Sequence, residues 1–468
     1  MTEPSTTPPA HVPPAGGERT FFQVLVNTAL ANITTSYLWF ALTFWVYLET
    51  RSVLATGIIG GVYMLLVAGF AMVFGTVVDR HRKHAVMIFA GVFTLAAFLI
   101  AGGLFLMFPE RTLLDLGQPW FWLFSAIILI GAVVENMRNI ALSTTVTLLM
   151  PVERHANANG MVGTVQGLAF MVTSVLSGLS IGLLGMGWTL VIALVLTAAA
   201  GAHLLVLRIP EEQPEREGDR AALIDLRGSI TAVRAVKGLF ALIIFSTFNN
   251  LIGGVYMALM DPYGLELFPV ELWGVVLGVT STGFIIGGLL IAKFGLGKNP
   301  IKTMLLLVVL MGVLGAAFTI RDWWWLYALG ILVYMTLIPA VEAAEQTIIQ
   351  KVVPFRTQGR VFGFAQAFEA AAAPITAFLI APIAQFLIIP YLDRGERPGL
   401  QTWGWLLGDG EARGIALVFL VAGVIMIIAA VLAFLTPSYR HLSAMYAGQR
   451  ESVPAEAPDD PVSESLTR

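Results

Sequence analysis

The chain contains one apolar block after another, each about as long in helical residues as a bilayer is thick. A spanning helix needs about 20 such residues, and twelve stretches reach that length: roughly 21–48, 53–78, 84–108, 119–150, 158–184, 186–208, 238–260, 271–293, 301–320, 322–350, 358–388 and 412–436. A helix that is hydrophobic all round has to be surrounded by protein or by lipid, and twelve of them exceed what one soluble core can enclose. The sequence therefore predicts an all-α integral membrane protein. Composition agrees, with 57% hydrophobic and 12% charged residues, where soluble domains carry about a quarter charged. A net charge of −3 gives no basic surface for nucleic acid, and the absence of cysteine removes disulfides and thiolate metal sites.

The blocks divide the chain into regions. Residues 1–20, Pro- and Thr-rich, are expected to be a disordered cytoplasmic tail, followed by six helices over 21–208. A polar cytoplasmic linker, 209–237, spaces Leu223, Leu226, Ile230 and Val233 at helical intervals with Arg227, Arg234 and Lys237 between them, the pattern of an amphipathic surface helix. Six more helices fill 238–436, and 437–468, ending in "PAEAPDDPVSES", reads as a second disordered tail. With the N-terminus cytoplasmic, the inner loops hold sixteen Lys and Arg and the outer loops six. That asymmetry predicts a multi-pass protein of the cell (inner) membrane with both termini inside.

The two halves carry traces of duplication. An offset of 203 residues superposes "LMPVERHANANG" on "VVPFRTQGRVFG", matching Pro151 to Pro354 and Gly160 to Gly363, and pairs Gln166 with Glu369. An offset of 219 pairs Thr28, Ile33 and Tyr37 with Thr247, Ile252 and Tyr256. Both superpose the first helix on the seventh, as a repeated six-helix unit requires.

The inner end of the second helix reads "GTVVDRHRK", Gly75 to Lys83. This resembles the signature of the major facilitator superfamily, with Arg82 where a second Gly is usual. "PFRTQGRVFGF", Pro354 to Phe364, is similar to the branch that includes macrolide and siderophore exporters run by proton exchange. The resemblance implies twelve transmembrane helices in two pseudo-symmetric six-helix bundles, a monomer, and a cavity lined by helices one, four, seven and ten with five, eight and eleven beside them. It also implies a conformational gate at Gly75, Asp79, Arg80, Arg82 and Lys83. On elementary grounds Gly75 allows close helix approach, and Asp79 can sit at the N-terminal dipole of the third helix or pair with an Arg.

Polar residues fall on the helices expected to face a cavity. Asn32, Ser36, Trp39 and Thr43 share one face of the first helix, Asn249, Asn250 and Tyr256 lie on the seventh, and Gln346 and Gln366 on the tenth and eleventh. Five charges stand within apolar sequence. Glu135 and Arg138, one turn apart on the fourth helix, read either as a structural ion pair or as a proton or cation site that Arg138 tunes. Glu369 lies about eleven residues, roughly 17 Å, into the eleventh helix; it reads as a proton-coupling group charged only when water reaches it, or as a protonated packing residue. Glu342 and Glu345 suit proton or cation binding, and equally a hydrated vestibule.

These features predict a secondary transporter that alternates access around a mid-membrane site. The sequence has no GxxxxGK[ST] cradle for ATP and no HExxH or GxSxG motif, so neither a nucleotide-driven pump nor an enzyme is expected, and no cofactor. Trp39, Phe40, Trp45, Met137, Phe248 and Met257 around the expected cavity favour a bulky, partly apolar small-molecule substrate, exported against protons. The alternatives are an uptake permease for a small metabolite and a non-transporting membrane sensor.

Overall fold

The computed structural model describes residues 14, 16–50, 53–211, 226–268, 270–392, 398–408 and 411–451. Helices dominate because a backbone in hydrocarbon must satisfy its own N–H and C=O groups within each segment. Twelve long helices appear among the described residues: α1 Gly17–Thr50, α2 Val53–Arg80, α3 Lys83–Met107 and α4 Pro119–Leu149. The next helical stretch, His155–Val206, breaks at Gly185 (φ 77°), and its limbs 155–184 and 186–206 are α5 and α6. The second half holds α7 Leu239–Leu267, α8 Val270–Phe294, α9 Pro300–Ala317, α10 Trp324–Val352, α11 Gln358–Ile383 and α12 Glu411–Leu435. Ten helical stretches, counting α5 and α6 as one, are long and apolar enough to cross a membrane; α11, carrying Arg360, Gln366 and Glu369, completes the set.

Each half packs on itself first. α1 lies on the α5–α6 stretch, α4 and α2, while α9 lies on α12 and α10, and α7 on α11. Outer faces are coated with large apolar side chains, such as Phe89, Val92 and Leu99 of α3, Leu306 and Val313 of α9, and Ile428 and Leu432 of α12. Apolar outer faces of this kind suit contact with lipid hydrocarbon. The halves meet along two matched seams, α2 on α11 and α5 on α8. In the first, a Cβ on Gly359 would lie 2.7 Å from the Gly75 carbonyl oxygen; in the second, one on Gly167 would lie 2.7 Å from the Phe284 Cβ. Small residues let the backbones approach, as membrane helix interfaces require. Both seams lie at the end of the molecule that carries the α2–α3 turn, here termed the motif end.

Three segments differ from the sequence expectation or fall outside the description. α1 begins at Gly17, inside the stretch expected to be disordered, and residues 1–13 lie outside the described residues. The helix Leu226–Ala235 occupies the second half of the linker, its Ser229 and Val233 buried on α11 and α7; Leu223 lies outside the described residues. Pro437–Glu451, expected to be disordered, is a helix. It folds because Leu442 (2% exposed) packs beneath the second half, Ser443 Oγ meets Asn299 Nδ2 at 3.3 Å, and Tyr446 sits under Lys351. Residues 452–468 lie outside the described residues.

Candidate functional site

The first half contributes an amide-rich wall to the central cleft. It surrounds a cavity of about 260 Å³ lined by Asn32, Thr35 and Ser36 of α1, Tyr63 of α2, Glu135, Asn136 and Asn139 of α4, and Gln166, Ala169 and Phe170 of α5. The amides form a directed chain: Asn32 Nδ2 donates to Asn139 Oδ1 (3.1 Å), Asn139 Nδ2 to Asn136 Oδ1 (3.4 Å), and Asn136 Nδ2 to the Tyr63 hydroxyl (3.1 Å). Tyr63 therefore accepts from the chain and keeps its own O–H to donate. Trp39 backs it, ring centroids 4.9 Å apart, and Phe40 packs edge-on against Phe170. Thr43 is occupied one turn further along α1, its hydroxyl donating to the Trp39 carbonyl.

Glu135 and Arg138 do pair, Arg138 Nε donating to Glu135 Oε1, but in a packing seam rather than in open water. They are 3% and 1% exposed. Thr94 Oγ1 of α3 donates to the other carboxylate oxygen at 3.2 Å, and Arg138 donates to Asn27 Oδ1 of α1 (2.8 Å) and to the Met87 carbonyl of α3 (3.3 Å). Asn27 in turn reaches the Ala200 carbonyl of α6. Four helices are tied through one fully partnered pair. Of the two readings of this spacing, the placement favours the structural ion pair: only an edge of Glu135 reaches the cavity, and Arg138 is enclosed by α1 and α3.

The second half builds the opposite wall with acids. Glu345 of α10 neighbours Glu369 of α11 and Ser246 of α7, whose buried Oγ has no hydrogen-bond partner. Glu342, one turn away on α10, is exposed. Oε1 of Glu345 and Oε1 of Glu369 are both shielded from water and have no donor. Among the described residues none of the three carboxylates has an ion-pair partner. Two ionised carboxylates offer only acceptors, so a hydrogen bond between Glu345 and Glu369 would require a proton on one of them. Asn249 is half-buried with its Oδ1 unpartnered, Asn250 is exposed and donates to the Ser246 carbonyl, and Gln346 and Gln366 are half-buried beside the acids.

Tyr256 is not in the cleft. It is 5% exposed, donates to the Phe419 carbonyl at 3.1 Å and stacks among Phe318, Tyr334 and Phe419, because its position on α7 faces α12 and not the first half. Trp45 and Met137 are likewise buried in the first half's packing, Trp45 donating to Glu110, and Met257 is 64% exposed.

At the motif end, Asp79 joins the halves. Its carboxylate accepts from Gly359 N (2.6 Å) and Arg360 N (2.8 Å), the free amides at the start of α11, with Arg360 Nε 3.6 Å away. The acid thus stands at the positive end of a helix, but of α11 and not of α3. The start of α3 is held by Glu211, which accepts from Lys83 N (2.8 Å) and pairs with Lys83 Nζ at 3.7 Å. Arg82 is exposed and Arg80 half-buried. The mate seam has a neutral counterpart, Asn157 Nδ2 donating to the Ala292 carbonyl at the end of α8 (2.9 Å).

Between the seams lies an amide knot that sequence reasoning missed. Asn159 of α5 donates to Thr347 Oγ1 (2.9 Å) and Gln350 Oε1 (2.8 Å) of α10, Gln350 Nε2 donates to the Ser143 carbonyl of α4 (2.9 Å), and Gln358 Nε2 to the Gln350 carbonyl (2.8 Å). Asn159, Gln350 and Gln358 are all buried. Two lie inside the stretches that repeat between the halves, which is the signal that could have drawn attention to them.

Two matched helical halves, sealed together at one end around a polar cleft, define a transporter that moves solutes through a membrane. The chain belongs to the Major Facilitator Superfamily, whose family model matches residues 24–377. It is 22% identical over 404 residues to macrolide efflux protein A of Streptococcus pyogenes, covering 83% of this chain and 92% of that protein. To macrolide efflux protein A of Enterococcus faecalis it is 23% identical over 324 residues, covering 66% and 94%. Among solved structures, a bacterial homologue of the iron transporter ferroportin in its outward-facing state superposes with a TM-score of 0.66 at 15% identity, covering 89% of this chain and 100% of the other.

Proposed function

We propose that the protein is a proton-coupled exporter of bulky, partly apolar solutes of the macrolide kind, working as a monomer in the cell membrane with both termini in the cytoplasm. The observation that carries this reading is the neighbouring of Glu345, buried, and Glu369, half-buried, on the cleft wall, with no ion-pair partner for either among the described residues. A single proton shared by such a pair turns repulsion into a strong O–H···O⁻ bond, and losing it forces the two groups apart or into water. The pair sits on α10 and α11, which also carry Gln350 and Gln358 of the knot and the Asp79 contacts, so a change at the pair is transmitted to the gate along two rigid helices.

With sixteen Lys and Arg on the loops of one side against six on the other, the motif end is cytoplasmic, and the structure is outward-open. In that state water reaches Glu342 and the pair loads a proton. The amide chain ending at Tyr63, with Trp39, Phe40 and Phe170 around it, offers donors and flat apolar faces to an oxygen-rich, bulky solute. The efflux relatives support export. Reconstituted protein should move a labelled macrolide in response to an imposed pH gradient and should stop when the gradient is collapsed. Flux that ignores the gradient, or accumulation in the opposite direction, rejects the reading in favour of a uniporter or an uptake permease.

A further inference from the structure

The amide chain on the first wall has a direction, and that direction restricts what fits beside it. Asn136 Nδ2 reaches the Ala132 carbonyl at 3.4 Å as well as the Tyr63 hydroxyl at 3.1 Å. A carbonyl only accepts, so the nitrogen of Asn136 is the side turned to Tyr63; its Oδ1 then takes the bond from Asn139, and Asn139 Oδ1 takes the bond from Asn32. The two ends of the chain are therefore unlike. Tyr63 presents an O–H donor, and Asn32 presents an Oδ1 acceptor with no hydrogen-bond partner among the described residues. Both ends line the cavity of about 260 Å³, together with Thr35, Ser36, Gln166 and the ring of Phe170. The hydroxyls and the Gln166 carboxamide can each donate and accept, while the one acid in the lining, Glu135, is already held by Arg138 and Thr94. The pocket is thus neutral, mixed in donors and acceptors, and walled in part by aromatic rings. A carboxylate or phosphate would enter without a countercharge, and an ammonium has no acceptor for the Tyr63 O–H. A ring carrying several hydroxyls meets both ends at once and lays its C–H faces on the aromatics. The volume falls below the ~300–1,000 Å³ of sites for drug-sized ligands, so the pocket holds one arm of a bulky solute and not the whole.

We propose that this cavity takes an uncharged sugar ring, that the exported solute is a glycoside, and that Tyr63 and Asn32 select it, Tyr63 by donating to a sugar oxygen and Asn32 by accepting from a sugar hydroxyl. The apolar remainder of the glycoside then lies in the cleft toward the second wall. The place of this cavity on the transport path is taken from the export reading; the chemistry of its occupant is not.

The chain has no cysteine, so Ser36→Cys places a single thiol in the lining of the cavity. Phenyl glucoside, phenyl phosphate and phenyltrimethylammonium carry the same ring and differ in the polar arm: a neutral polyol, an anion and a cation. Phenyl glucoside should slow labelling of the thiol by a neutral maleimide saturably, about tenfold once about nine-tenths of the sites are filled, and the two charged probes at the same concentration should not. Tyr63→Phe, which removes a single oxygen, and Asn32→Leu should each abolish the glucoside protection while the melting temperature and the unprotected labelling rate are kept. Three results would overturn the assignment: no protection by the glucoside, equal protection by either charged probe, or glucoside protection that survives in both variants. Neither a gradient nor a macrolide enters the labelling. Absent protection with pH-driven macrolide flux intact therefore refutes the sugar pocket alone, and protection without flux refutes the export reading alone.

Discussion

The two halves present the same repeat positions to the cleft with opposite chemistry. The offset that superposes Gln166 on Glu369 also superposes Asn139 on Glu342, so amides that line the first wall are matched by carboxylates on the second. Acid does occur on the first side, but Glu135 is matched to Arg138 and sealed by Thr94, Asn27 and Met87. On the second side Glu345 and Glu369 are neighbours beside Ser246, with no ion-pair partner among the described residues. Burial alone therefore does not mark a working acid. What separates the two is whether the charge already has a fixed partner: a paired group serves as structural glue, and an unpaired one is the candidate for proton exchange.

The largest effect should come from neutralising the second wall. Glu369→Gln or Glu345→Gln removes one member of the carboxyl pair, and pH-driven macrolide flux in proteoliposomes should fall to background while the protein remains monodisperse and thermally stable. Next, Glu135→Gln should act on stability and not on coupling: stranding Arg138 without its carboxylate costs about 3–5 kcal/mol, read as a lowered melting temperature. The double change Glu135→Leu/Arg138→Met should recover most of that loss and retain gradient-driven flux. Coupling lost in the double variant with stability restored would break the distinction between the halves.

The hydroxyls beside each acid sharpen the same contrast at smaller scale. Thr94→Val removes one donor to Glu135, a loss of about 1–3 kcal/mol, with the pH profile of transport unmoved. Ser246→Ala should displace the pH profile and leave the melting temperature within experimental scatter. The smallest effect is expected for Tyr256→Phe, which deletes one buried hydrogen bond worth about 1 kcal/mol; the apparent affinity for macrolide should not change, because the ring is packed on Phe419 and not on the cleft.

The helices were legible in the sequence because the bilayer sets their length, and even the break at Gly185 falls between the two expected blocks 158–184 and 186–208. The duplication was legible at Tyr37 and Tyr256, matched positions that are both buried, at 1% and 5% exposure. The direction in which Tyr256 points was not, since a polar tip on a cavity-forming helix can face the cleft or a neighbouring helix with equal sequence evidence. The spacing of Glu135 and Arg138 announced a pair, but the residues that seal it, Asn27, Met87 and Thr94, come from two other helices and no local pattern links them. The same holds for the partner of Asp79: a helix start 280 residues away competes with the adjacent one, and only packing decides between them. Pro437–Glu451 was hidden by its polarity, mean hydropathy giving no sign of the single buried face around Leu442.

Substrate-induced proton release offers the most direct test of the division between the walls. Macrolide is added to detergent-purified protein in weakly buffered solution and the pH change is followed for the parent, Glu369→Gln and Glu135→Leu/Arg138→Met. The parent and the first-half double variant should release protons on binding, and Glu369→Gln should release none. Release that survives in Glu369→Gln and vanishes in the first-half variant would contradict the account, placing the exchangeable proton on the pair assigned here to structure.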